Sequence, residues 1–173
     1  LNEKLRQAHL EFPIYFNPLS TIGGMTANNT LGEKSIRYGM MKNMTDDIEF
    51  INGKAEVIKV GRADLAEACG MEGTTGIITK VKLRLIRKAD TSLSILQTDS
   101  LDEILSVSRT LKNDPEVVSL KFFSRKTSPF FGFPEKYHVF VFFDSLRGKI
   151  QGQEYDTLVK KIQREYFYLY TIG

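Results

Sequence analysis

A single cysteine, Cys69, among 173 residues excludes a disulfide framework and leaves a structural zinc site without a Cys partner. Histidine is nearly as scarce, with only His9 and His138, and no set of carboxylates has ligand spacing, so the sequence implies no metal. Long apolar runs are missing as well. The longest, Tyr137–Phe143, is seven residues, whereas a membrane-spanning helix needs about 20; no transmembrane segment is expected. The opening residues lack the basic, apolar, small-residue order of a secretory signal. Nor does charge of one sign dominate, because 24 Lys and Arg oppose 21 Asp and Glu. The excess is +2 over residues 1–90 and +1 over the remainder. A nucleic-acid-binding arm concentrates its charge, so no nucleic-acid partner is expected. These absences point to a reducing, cytoplasmic compartment.

What remains is a composition that is 42% hydrophobic and 26% charged, enough to bury a core in one domain or one and a half. Nine of the 13 glycines lie before residue 80, which predicts a loop-rich first part and a more regular second part. The boundary is expected at Arg87–Thr91, giving segments 1–88 and 89–173. In the first segment, Leu1–His9 reads as a short helix ended by Phe12-Pro13, and Ile14–Leu19 as extended chain before Pro18. Asn52-Gly53 between Asp47–Ile51 and Lys54–Val60 predicts a hairpin with a two-residue type I′ turn. Ala63–Cys69 has room for a turn or two of helix. Ile77–Leu85 alternates, which predicts a strand with Thr79, Val81, Leu83 and Leu85 on one face and Lys80, Lys82 and Arg84 on the other.

The second segment reads as strand Ser92–Gln97, a helix capped by Ser100 or Asp102 and running to Lys112, then strands Val117–Arg125 and Lys136–Asp144. A last helix starts at Glu154. This βαββα order fits a partial ferredoxin-like sandwich, and Tyr166–Ile172 either adds a strand or prolongs the helix. The expected class is α+β.

Two glycine-rich stretches carry the functional candidates. Thr21-Ile22-Gly23-Gly24-Met25-Thr26-Ala27-Asn28-Asn29 holds no nucleophile with a partnered base. It offers bare backbone, whose amides either line an anion-binding concavity or form an ordinary surface loop. Gly70-Met71-Glu72-Gly73-Thr74-Thr75-Gly76-Ile77-Ile78 runs into a strand, not a helix, and contains no Gly-Lys-Ser/Thr. It is therefore neither a dinucleotide fingerprint nor a P-loop. The clamp of a KH domain is weakly supported, since no basic residue stands between the glycines.

In order, Thr-Ile-Gly-Gly, then Ala27, Asn29 and Gly32, then Arg37-Tyr38-Gly39, then Asn52-Gly53, then Glu72-Gly73-Thr74-x-Gly76-Ile77-Ile78, resemble one family over roughly residues 1–88. It is the FAD-binding domain of the vanillyl-alcohol oxidase and p-cresol methylhydroxylase type, in the D-lactate dehydrogenase, glycolate oxidase and alkyl-dihydroxyacetone-phosphate synthase group. The resemblance implies FAD as cofactor. It implies contacts from Pro18, Ser20 and Thr21, from Gly23 and Gly24, from Ala27, Asn28 and Asn29, and from Glu72, Gly73, Thr74, Gly76, Ile77 and Ile78. Thr30, Leu31 and Thr75 depart from the small or leucine-like residues usual there. Family members also carry a preceding subdomain with another glycine-rich loop and a C-terminal His-rich region, neither of which occurs here. The resemblance thus implies the second half of an FAD-binding fold followed by part of a substrate-binding cap.

The implied parent is an FAD-linked oxidase or dehydrogenase acting on a small-molecule substrate of the 2-hydroxy acid kind. The alternative is a non-enzymatic α+β interaction module whose glycines only make turns. Homo-oligomerisation and the catalytic residues are left open. His138 in an apolar strand, Cys69 in a short apolar stretch, and Phe122, Phe123, Phe130, Phe131 and Phe133 read as core or pocket lining. Glu72 and Asp64 show no proton acceptor between them.

Overall fold

Asn2 ties down the start of the chain. In the computed structural model, which describes residues 1–15, 19–154 and 156–161, its carboxamide donates to the Phe12 carbonyl at 3.1 Å and accepts from the Phe12 amide at 2.8 Å. Between them run α1 (Asn2–Leu5), a 3₁₀ turn (Arg6–Ala8) and β1 (Leu10–Glu11). His9 ends the helical turns in the left-handed conformation at φ 52°, so the stop falls before Phe12-Pro13. The chain divides into two compact units, Leu1–Lys88 and Ala89–Gly173. Helices and antiparallel sheets together make it α+β.

In the first unit the short helices α2 (Ile22–Ala27) and α3 (Ser35–Tyr38) precede a 3₁₀ turn at Met41–Met44. Strands β2 (Thr45–Ile51), β3 (Val57–Gly61) and β4 (Ile77–Leu83) form an antiparallel sheet in the order β3-β2-β4. β5 (Ile86–Arg87) pairs with β1. One core cluster gathers Ile48, Phe50, Val60, Leu65, Ala68 and Cys69; another joins Phe12, Ile14, Met25, Met41 and Met44.

The alternation expected along β4 breaks at one residue. Glu49 pairs with Lys80 and Phe50 with Ile78, so Thr79 is an extra residue in a β-bulge. A bulge reverses the parity of side chains beyond it. Val81 and Ile78 therefore both reach the core, while Thr79 is exposed and donates to the Glu49 carbonyl at 3.1 Å and to Glu49 Oε1 at 3.0 Å. Lys80 also bonds that carboxylate at 3.0 Å. This hydrogen bond, with Thr79 second, draws the Glu49 carboxyl below the usual glutamate range.

The hairpin between β2 and β3 exists, but its turn is longer than two residues. Ile51 pairs with Val57, leaving residues 52–56 as the loop. Asn52 Oδ1 accepts from the amides of Lys54 at 2.9 Å and Glu56 at 3.0 Å, and its Nδ2 donates to Glu56 at 2.8 Å. Ala55, not Gly53, takes the positive φ of 60°. A Cβ on Gly53 would meet nothing within 4 Å. Asn52→Ala is therefore expected to cost about 1–2 kcal/mol in urea unfolding, and Gly53→Ala within about 0.5 kcal/mol of nothing. Equal losses would show that the glycine, not the asparagine, organises the loop.

The second unit opens with β6 (Ser92–Thr98) and α4 (Leu101–Leu111), whose cap Ser100 accepts from the Glu103 amide at 3.3 Å. β7 (Val117–Phe123), β8 (Tyr137–Phe143) and a two-residue β9 (Ile150–Gln151) complete a sheet ordered β7-β8-β6-β9. β9 is an addition to the expected order, since it pairs with the edge of β6 before residues 156–161 continue as helix. The segment Tyr166–Ile172 lies outside the described residues. Ile104 on α4 packs with Val117, Val139, Val141 and Phe143. His138 is buried, its Nδ1 2.9 Å from Ser128 Oγ and 3.0 Å from the Lys136 carbonyl. Among the described residues, no helix is long and apolar enough to cross a membrane.

Candidate cofactor-binding site

The first glycine-rich stretch is a helix start where a loop between strands was expected. Thr21 is extended (φ −85°, ψ 151°) and its hydroxyl accepts from the Gly24 amide at 3.1 Å, while its carbonyl accepts from Met25 at 2.9 Å. Two glycines in a helix cost about 1 kcal/mol each. Here the Thr21 cap and the burial of Met25 and Thr26 offset that cost. The bare Gly23 faces β4, where a Cβ would come 4.0 Å from the Ile78 carbonyl oxygen. Ser20 is half-buried just ahead of the cap; Pro18 lies outside the described residues.

The far end of α2 meets the second stretch. The last carbonyls of a helix lack intrahelical partners, and here two of them find partners more than 40 residues away. Thr26 O accepts from the Gly70 amide at 3.1 Å, and Ala27 O accepts from the Glu72 amide at 2.9 Å. Asn28 closes the helix, and Asn29 turns the chain away at φ 47°. Of the expected residues, the structure thus joins Ala27 to Glu72 by a hydrogen bond and sets Gly23 beside Ile78.

The second stretch is held in unusual backbone geometry. Gly70, Glu72 and Gly73 have φ of 83°, 51° and 80°. At Glu72 this is a conformation that non-glycine residues adopt at some cost, of the kind concentrated at binding sites. Thr74 steadies the turn, its hydroxyl donating to the Met71 carbonyl at 2.6 Å. The glycines differ in what surrounds them. A Cβ on Gly73 would meet nothing within 4 Å, whereas one on Gly76 would stand 2.2 Å from the Ile51 carbonyl oxygen. Gly76 is needed for the chain to cross the end of β2, and Gly73 opens outward.

Sequence reasoning named Asn29 and Cys69 but missed that they bond each other, and missed Met40 and Lys42 as partners of Asn29. Asn29 Oδ1 accepts from the Lys42 amide at 2.9 Å and from the Cys69 thiol at 3.6 Å, and Nδ2 donates to Met40 Sδ at 3.5 Å. Cys69 is buried, as expected of a packed cysteine; burial pushes its thiol pKa up, and the Lys42 charge works against that. In and beside these stretches large apolar side chains are exposed, Leu19 at 82%, Leu31 at 57% and Ile77 at 74%. Leu31 and Ile77 stood in the motifs, and their apolarity inside small-residue stretches was the available signal.

Residues 1–61 match the family model of an FAD binding domain. Over that stretch the chain is similar to an FAD-binding domain, and the relatives it resembles are named as D-2-hydroxyglutarate dehydrogenases, D-lactate dehydrogenases and a glycolate oxidase subunit. Among its relatives is the D-2-hydroxyglutarate dehydrogenase of Stutzerimonas stutzeri (strain A1501), 28% identical over 129 residues, which are 68% of this chain and 28% of that protein. The mitochondrial D-lactate dehydrogenase (cytochrome) of Arabidopsis thaliana is 33% identical over 94 residues, 49% of this chain and 17% of that protein. The glycolate oxidase subunit GlcD of Bacillus subtilis (strain 168) is 29% identical over 87 residues, 45% of this chain and 18% of that protein. The matches span less than a third of each of these relatives.

Proposed function

We propose that this chain is part of an FAD-dependent oxidoreductase that oxidises a small 2-hydroxy acid, with residues 1–88 forming one subdomain of the FAD-binding fold. Residues 89–173 then belong to a substrate-binding cap of partial ferredoxin-like design, in keeping with the sheet order β7-β8-β6-β9. The observation that carries the reading is the docking of the two glycine-rich segments through Gly70 and Glu72 onto the end of α2, beside an outward-facing Gly73 with open space around it.

That arrangement fits the cofactor. Left-handed turns at Glu72 and Gly73 expose main chain without side-chain bulk, which suits the approach of a pyrophosphate. Ser20, Thr21, Gly23, Gly24, Ala27 and Asn28 form the opposing wall. Thr74, Gly76, Ile77 and Ile78 continue the second wall, and the exposed Ile77 and Leu31 offer apolar surface to a flat heteroaromatic group. FAD, when bound, supplies the hydride acceptor. The chain's own residues bind and orient it. A reducing, cytoplasmic setting suits the single buried thiol.

The full-length protein should purify with a flavin absorbance spectrum and release FAD on denaturation. The flavin bands should bleach anaerobically with D-lactate, glycolate or D-2-hydroxyglutarate. A colourless protein that takes up no added FAD overturns the reading. The isolated 173 residues should retain flavin weakly or not at all, and calorimetry showing tight binding would contradict this division of the cradle.

A further inference from the structure

Asn29 stood among the residues expected to touch the cofactor, yet its carboxamide is engaged with protein at both ends. A carboxamide oxygen has two lone pairs. On Asn29 both are used, by the Lys42 amide at 2.9 Å and the Cys69 thiol at 3.6 Å, while Nδ2 donates to Met40 Sδ at 3.5 Å. These three partners come from two places in the chain, the 3₁₀ turn at Met41–Met44 with its cap Met40, and the residue leading into Gly70. Packing is close as well: a Cβ on Gly70 would stand 3.2 Å from Asn29 Cβ. The backbone is suited to the task, because φ 47° is a region that Asn tolerates better than most residues.

We propose that Asn29 is a positioning residue that locks the two glycine-rich segments together, and not a ligand of the cofactor. The inference rests on the reading that these segments form the FAD cradle. Without this side chain, the Lys42 amide and the Cys69 thiol lose their acceptor, the Gly70 and Glu72 amides still bond the end of α2, and the approach of the two walls loosens.

The test is amide hydrogen exchange in the full-length protein at Gly70 and Glu72, whose bonds run to Thr26 and Ala27 and not to Asn29. Asn29→Gly keeps the left-handed backbone at no steric cost and removes only the side chain. It should accelerate exchange at Gly70 and Glu72 about tenfold, leave Ile48 and Phe50 in β2 unchanged, and raise the reactivity of Cys69 toward an aromatic disulfide. Asn29→Asp keeps the acceptor oxygen and should hold both amides within about twofold of the parent. FAD affinity of Asn29→Gly should fall about tenfold, read by flavin fluorescence. Unchanged exchange at Gly70 and Glu72 overturns the proposal, as does acceleration spread evenly over β2, which marks a role in global stability. Faster exchange with unaltered FAD affinity overturns it too, since the lock would then not shape the cradle. A parent that takes up no FAD removes the cofactor reading, and the exchange rates still decide whether the lock exists.

Discussion

Gly76→Ala is expected to destabilise the first unit by about 3–5 kcal/mol, an overpacking penalty added to backbone strain. The new Cβ would stand 2.2 Å from the Ile51 carbonyl oxygen, 2.9 Å from its carbon and 3.0 Å from Phe50 Cδ2. Ile51 cannot easily withdraw, because it pairs with Val57 on one side and Ile77 on the other. The backbone adds a second cost, since φ 155° is a conformation that L residues rarely adopt. Gly73→Ala carries only the strain of a left-handed residue at φ 80° in open space, about 1–2 kcal/mol. Urea unfolding should thus rank Gly76→Ala well above Gly73→Ala. Equal losses would show that the crossing of β2 is not close. The ranking bears on function: loss of flavin in a Gly76 variant reports damage to the scaffold. Loss in a larger Gly73 variant, with its stability nearly kept, reports the wall of the cradle itself.

Local patterns carried much of the fold. The Ser100 cap, the helix α4 and the strands β6, β7 and β8 all follow from short-range pattern and composition. So does β4, except at Thr79, where an extra residue shifts the register. A bulge depends on the partner strand and leaves no mark on the alternation of its own. The hairpin was legible from Asn52-Gly53, but the loop length was not, because Asn52 bonds Lys54 and Glu56 with its side chain in place of a two-residue turn. The start of α2 was hidden by its own glycines, which argue against helix until the Thr21 cap is seen. β9 is two residues long and defined only by pairing with β6. Glycine spacing marked both walls of the candidate site. Their meeting was not legible, since it is made by the Gly70–Thr26 and Glu72–Ala27 bonds and by the Cys69 thiol on the Asn29 carboxamide. Those links join residues roughly 40 positions apart, far beyond any helical or strand period.

Phe140→Ala is expected to cost the second unit about 3–5 kcal/mol, the range for deleting a buried aromatic ring. Phe140 is fully buried on β8, the strand between β7 and β6. Its ring meets Phe123 at 4.8 Å and 65° and Phe133 at 5.1 Å and 75°, both edge-to-face. Deletion removes apolar area and two oriented ring contacts together, and the sheet on either side limits collapse into the void. Phe122 is different: 47% exposed, it stacks on Tyr137 at 6.0 Å, and its removal should cost about 1 kcal/mol. Phe130 is 67% exposed, so Phe130→Ala should fall within about 0.5 kcal/mol of the parent. Among the described residues of this unit, Phe123, Phe131 and Phe140 therefore lie in the core while Phe122 and Phe130 face outward. Thermal unfolding of the three variants checks the division, and a Phe122→Ala loss as large as that of Phe140→Ala would dissolve it.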